Sequence, residues 1–194
     1  MNGSIHDDSH LKKISNFVAA IVEGRDPDLG GHHQRLGKYA ALFAQHLGCS
    51  PEDIELLSIG ACVHDIGKLT ISDHILNKPA RLTATEFALV KQHAEIGNQL
   101  LDPLGLDPRI SEIVHSHHEN YDGSGYPKGI SGEAIPVFAR MIRICDSFDA
   151  MTMDRPYHQG ISSAAALRAM QCDSHFYEPH LLKSFCQMTV KHQI

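Results

Sequence analysis

Apolar residues recur along this chain at helical spacing almost from end to end. Ile14, Phe17, Val18 and Ile21 predict a first helix over roughly 10–23. Leu36, Tyr39, Ala40, Phe43 and Leu47 put one apolar face on a second helix, over about 31–47. Ser50-Pro51-Glu52-Asp53 reads as a helix start, with a capping hydroxyl, a proline in the first turn and an acid three residues after the cap; this helix is expected to run to about Ile66. Thr83-Ala84-Thr85-Glu86 is a capping box that opens a helix to about Leu101, and Asp107-Pro108 opens another to about His118. Residues 119–135, with four glycines and a proline, interrupt the pattern as a structured loop. Helices over about 136–152, 162–171 and 178–190 complete the chain. No segment alternates as a strand does, and no repeat or low-complexity tract occurs. The expected fold is all-α, one helical bundle of about seven to nine helices over residues 10–194 behind a short tail at 1–9.

Composition narrows what such a bundle does. Apolar residues are 42% of the 194, enough for one core, yet no apolar run reaches the roughly 18–20 residues that span a bilayer. The start MNGSIHDDSH lacks a basic region followed by an apolar stretch, so no signal peptide and a cytoplasmic location are expected. Five scattered cysteines, never in a CxxC pair, predict reduced and mostly buried thiols. A net charge of −6, no Trp and 6% aromatics argue against wrapping DNA or stacking on bases. A small anion remains accessible to an acidic protein whose metal ions supply local positive charge.

Histidine, at 15 residues, is the abnormal count. His64 follows Ile54, Leu57 and Ala61 on a buried face, and Asp65 is its backbone neighbour. His32 heads the apolar face of the second helix, His93 shares one with Val90, Gly97 and Leu100, and His117 shares one with Ile110, Ile113 and Val114. His118 adjoins His117 at the mouth of the glycine loop, and Asp146 lies with Ala139 and Ile142 in an otherwise apolar helix. A lone inward His is ordinarily a satisfied core residue. Buried carboxylates and imidazoles on five helices are costly unless paired or metal-bound. Five His and two Asp match the mixed ligation of iron, manganese or related metals, and are too many for one tetrahedral zinc. His33 points about 100° away from His32 round the helix and is expected at the surface.

These residues sit in the strings GGHHQRL, HDIGKLTISDHIL, NKPARLT, KQHAEIG, HSHHENYDGSGYPKG and ARMIRICDSFDAMTMDRPY. In order and spacing, over about residues 10–190, they resemble the HD-GYP family of the HD phosphohydrolase superfamily. The resemblance implies one metal on His32, His64, Asp65 and Asp146 and another on Asp65, His93, His117 and His118, with Asp65 bridging. It implies iron, with manganese an alternative, and a third ion in some members, for which Asp28 stands where a ligand is needed. It implies a cyclic di-GMP phosphodiesterase of bacterial signalling, yielding pGpG or GMP, in which two metals activate water and steady an in-line transition state. Lys68 would add a cation at the scissile phosphate. Asp149 and Arg155 match substrate-contacting positions, or form a structural Asp–Arg pair. The glycine loop would be a lip over the site, with Gly123 and Gly125 supplying conformations closed to other residues, Pro127 stiffening the exit and Tyr126 facing the ligand or anchoring the loop. The chain departs from the family pattern at Leu29, at His158 and at Tyr177-Glu178, without loss of a ligand.

Two further readings compete. A metal-holding module would bind a cyclic dinucleotide without turnover and signal through the GYP loop to a diguanylate cyclase or a regulatory protein. An HD hydrolase of (p)ppGpp or nucleoside triphosphates would lack the segment from His117 to Pro127.

Overall fold

The computed structural model describes residues 5–26, 31–154 and 159–194. Among them there is no strand, and ten α-helical segments follow in order: α1 (Ile5–Arg25), α2 (His32–His46), α3 (Pro51–Val63), α4 (Asp73–Leu76), α5 (Ala84–Lys91), α6 (His93–Leu101), α7 (Pro108–Ser116), α8 (Val137–Thr152), α9 (Ser163–Cys172) and α10 (Pro179–His192). The all-α reading holds. Apart from α4, a single turn whose sequence is too short to show a period, nine helices remain, within the expected range, and the helix predicted over 83–101 breaks at Gln92 into α5 and α6.

The helix starts are those the local chemistry dictates. Ser50 accepts from Asp53 N at 3.1 Å, and Thr83 and Glu86 close a capping box. Asp107 accepts from Arg109 N at 2.9 Å. α3 ends before the expected Ile66: the α-helix stops at Val63, and a tight 3-10 turn, Ile66–Thr70, carries the chain away. The early start of α1 at Ile5 likewise differs from the expected residue 10, where the polar IHDDS stretch shows no apolar period.

α3 is the hub, packed on α2, α7 and α1, and is therefore apolar nearly all round. Leu36, Phe43, Leu57, Ile142, Phe148 and Phe185 form the main core. Phe185 stacks edge-on against both Phe43 and Phe148, with centroids at 5.2 and 5.4 Å. A second cluster joins Ala19, Ile59, Val63, Ile110 and Val114 across α1, α3 and α7. α1 presents Ala19 to this cluster with Leu11 and Val18 packed beside it, buries Val22 as well, and leaves the larger Ile14, Phe17 and Ile21 exposed.

All five cysteines are free, but only Cys62 and Cys145 are buried, fewer than expected; Cys172 is exposed. Burial pushes the Cys62 thiol up to about 11, and Cys145 is raised by the same cause, as suits packing groups.

Candidate metal centre

The turn after α3 makes the centre. His64 caps α3, Asp65 opens the 3-10 turn, and Gly67 lets that turn lie directly on α6: a Cβ at Gly67 would stand 1.9 Å from the His93 carbonyl oxygen. His64, Asp65 and His93 are thereby brought side by side. α7 delivers His117 and His118 at its C-terminal end, and α2 and α8 bring His32 and Asp146 from the other side.

Ring orientation decides what these histidines can do. His64 Nδ1 lies 2.7 Å from the Ala61 carbonyl, His93 Nδ1 2.7 Å from Val90 and His117 Nδ1 2.8 Å from Val114. A carbonyl only accepts, so each Nδ1 carries a proton, and in the neutral ring each Nε2 presents a lone pair inward. His93 Nε2 and His117 Nε2 face each other at 3.2 Å, and Asp65 Oδ1 lies 3.4 Å from His93 Nε2 and has no hydrogen-bond partner. Buried lone pairs converging at such distances need a cation. Metal bonds of about 2.0–2.2 Å set neighbouring ligand atoms roughly 2.8–4.4 Å apart, which these separations match. Asp65, His93, His117 and His118 form one group able to hold a metal, and His32, His64 and Asp146 form an adjoining one. His64 Nε2 lies 3.3 Å from Asp65 Oδ2, so Asp65 stands between the two groups.

The electrostatics agree with ligation. Burial, reinforced by neighbouring histidines, holds His117 and His118 well below the ordinary imidazole value, and burial lowers His93 too, so all three are neutral at physiological pH. Burial would raise the Asp65 carboxyl, but His64 and Lys68 outweigh it and hold it well below the usual carboxylate range. Lys68 Nζ bonds Asp65 Oδ2 at 2.8 Å; burial disfavours its charge, and Asp65 more than offsets that.

Asp149 is not where a substrate contact should be. It is 1% exposed, with Oδ2 accepting from His32 Nδ1 at 2.7 Å, and Oδ1 and Oδ2 accepting from Arg35 Nε and Nη2 at 2.8 and 3.1 Å. A carboxylate so enclosed orients His32 and cannot reach a ligand. His33 is a second correction. It is fully buried, its Nδ1 3.0 Å from Glu23 Oε1. The 100° rotation that predicted a surface position instead turns it toward α1, which the period of α2 alone cannot reveal. Burial and the neighbouring His64 press its pKa down to about 4.

The glycine loop folds back on the centre. Glu119, buried, accepts from Lys128 N and Gly129 N at 2.7 and 3.1 Å, and Tyr126 N donates to the His118 carbonyl at 3.2 Å. Tyr126 lies over His118, ring centroids 4.7 Å apart, with Phe87 beyond it. Gly123 does have a positive φ of 84°. Gly125 does not, and is needed for space: a Cβ there would stand 2.3 Å from Asn120 N. The anchoring role of Glu119 was not anticipated; its place directly after the two histidines was the available signal. Two clefts flank the centre, one lined by Asp26, Lys68 and Lys78, the other by Arg143, Asp146, Ser147 and Tyr177. Asp28 and Arg155, like Leu29 and His158, lie outside the described residues.

A family profile described as HD domain matches residues 16–181. The chain is 36% identical over 169 residues to the 3′3′-cGAMP-specific phosphodiesterase 3 of Vibrio cholerae, covering 87% of this chain and 37% of the relative. It is 34% identical over 182 residues to a cyclic di-GMP phosphodiesterase of Thermotoga maritima, covering 92% and 49%. The chain thus spans less than half the length of these relatives. The crystal structure of a cyclic GMP-AMP-specific phosphodiesterase of V. cholerae superposes with a TM-score of 0.59 at 28% identity, covering 93% of this chain and 41% of the other. No helix among the described residues is long and apolar enough to cross a membrane.

Proposed function

The chain belongs to the HD domain family, in its HD-GYP type, and from this premise we propose that it is a metal-dependent phosphodiesterase acting on a cyclic dinucleotide, cyclic di-GMP foremost, with pGpG or GMP as product. The observation that carries this reading is the meeting of two ligand groups at Asp65, with the ammonium of Lys68 on the same carboxylate. His32, His64, Asp65 and Asp146 would hold one metal, and Asp65, His93, His117 and His118 the other; iron suits this set, and manganese is the alternative. When bound, such a pair activates water at neutral pH and offsets the charge that develops on a phosphodiester.

The chain's own groups do the rest. Lys68 supplies a fixed cation beside the centre, where one phosphate of the substrate would lie. The two flanking clefts offer Lys78 on one side and Arg143 on the other as cations for the two halves of a dinucleotide. Tyr126, laid on His118, closes the lip, and the exposed face of the same loop would be the contact for a diguanylate cyclase or a regulatory protein. Asp28 is proposed as ligand to a third ion and Arg155 as a phosphate contact.

Anaerobic reconstitution with Fe(II) or Mn(II), followed by elemental analysis and turnover of cyclic di-GMP and 3′3′-cGAMP side by side, tests the proposal. At least two equivalents of metal per chain and a linear product are expected; at most one equivalent sinks the paired centre. Full occupancy with binding and no cleavage of either nucleotide makes the protein a receptor instead.

A further inference from the structure

His33 has no role in the centre as described, yet it is buried beside it. Glu23 of α1 grips the start of α2: Oε2 accepts from Gly31 N at 3.1 Å, and Oε1 accepts from His33 N at 3.0 Å. The same Oε1 lies 3.0 Å from His33 Nδ1. A carboxylate accepts, so Nδ1 carries the ring proton and Nε2 presents a lone pair. That Nε2 has no hydrogen-bond partner. It faces Asp65 Oδ2 at 4.0 Å, and His33, His64 and Asp65 each offer a ligand atom with all three atoms within 4.8 Å of one another.

Lys68 Nζ answers Asp65 Oδ2 at 2.8 Å, but nothing among the described residues answers the His33 Nε2 lone pair, which is turned toward that carboxylate. A proton does not serve, because a hydrogen bond spans about 2.7–3.2 Å and this gap is 4.0 Å. The gap does suit two ligands of one ion. The Glu23–His33 pair also repeats, one residue on, the Asp149–His32 pair, in which a carboxylate on Nδ1 sets the tautomer and strengthens Nε2 as a donor. We propose that His33 is a further metal ligand, binding through Nε2 a divalent transition-metal ion that it shares with Asp65 and His64. This rests on the metal-centre reading above and adds an imidazole and a buttressing carboxylate, Glu23, to it.

The test loads the whole chain with Mn(II) and compares it with His33→Asn, whose amide can still donate to Glu23 but has no atom at the Nε2 position. The variant should lose one equivalent, or release it to EDTA at least 10-fold more readily. Glu23→Gln, which keeps an acceptor but not its charge, should fall between them. Should His33→Asn not fold, the parent itself answers: loaded with 113Cd and 15N-labelled at histidine, it should show 113Cd splitting of the His33 Nε2 resonance. Unchanged metal content and EDTA release in His33→Asn, or splitting at His64 but not at His33, overturns the proposal while leaving the centre standing. A parent that takes up neither Mn(II) nor 113Cd overturns both.

Discussion

The two sides of the centre hold their histidines by different means. On the α6–α7 side, the Nδ1 protons of His93 and His117 go to carbonyls three residues earlier in the chain, Val90 in the last turn of α5 and Val114 in α7. On the α2–α8 side, His32 is held by the carboxylate of Asp149, 117 residues away, which is itself held by Arg35. Backbone carbonyls come with the helix and survive almost any substitution. The carboxylate arrangement depends on particular side chains and on burial of their charge: burial would raise the Asp149 carboxyl, and only the bonds from His32 and Arg35 keep it depressed. One half of the centre is therefore robust and the other tunable, with Asp65 common to both.

That sharing makes Asp65→Ala the most damaging change. It removes the carboxylate between both ligand groups, so both metals and all turnover should go together; elemental analysis still showing two equivalents would mean the sides are independent. Lys68→Ala should come next. It removes a cation and no ligand, so metal content should hold while turnover falls about 100–1000-fold, roughly 3–4 kcal/mol of transition-state stabilisation. A parental rate in that variant would leave Lys68 as a charge partner of Asp65 and nothing more.

The same contrast marks what was legible in the chain. His93 and His117 declare themselves by helical period, because a histidine on an apolar face has its orienting carbonyl supplied by the turn just before it in the chain. The caps at Ser50, Thr83 and Asp107 are equally local and were equally readable. The orienting place of Asp149 and the burial of His33 are not legible in the sequence because their partners come from other helices, Arg35 and His32 for the first and Glu23 for the second. Period places a residue on a face; it does not say which neighbour covers that face. The exposed Ile14, Phe17 and Ile21 of α1 make the same point in reverse, since a helix that packs through Ala19 and Val22 sends its bulkier side chains outward.

Asp149→Asn probes the tunable half directly. The amide oxygen can still accept from His32, but the negative charge that strengthens the imidazole is lost, and with it much of the hold on Arg35. Metal affinity at the His32 group should drop roughly 10–100-fold. Val90→Ala, which leaves the carbonyl on His93 in place, is the matching control and should leave metal release to EDTA unchanged. Equal losses in the two variants would erase the distinction between the halves.

Arg35→Lys asks how far the dependence on side chains extends, and its effect should be the smallest. Arg35 reaches both oxygens of Asp149, through Nε at 2.8 Å and Nη2 at 3.1 Å. A lysine keeps the charge but, as a single point donor, cannot span both. Asp149 would then be free to rotate about the bond it accepts from His32, loosening the ring without removing its partner. Arg35 is also partly exposed, its side chain at 29%, so water takes over some of what the guanidinium provides. The loss in metal affinity should therefore stay below the roughly 10-fold floor expected for removing a direct carboxylate partner. EDTA competition on the Mn(II)-loaded variant measures it. A loss as large as that of Asp149→Asn would mean that Asp149 orients His32 only while Arg35 clamps it, so that the tunable half is a three-residue unit spanning α2 and α8.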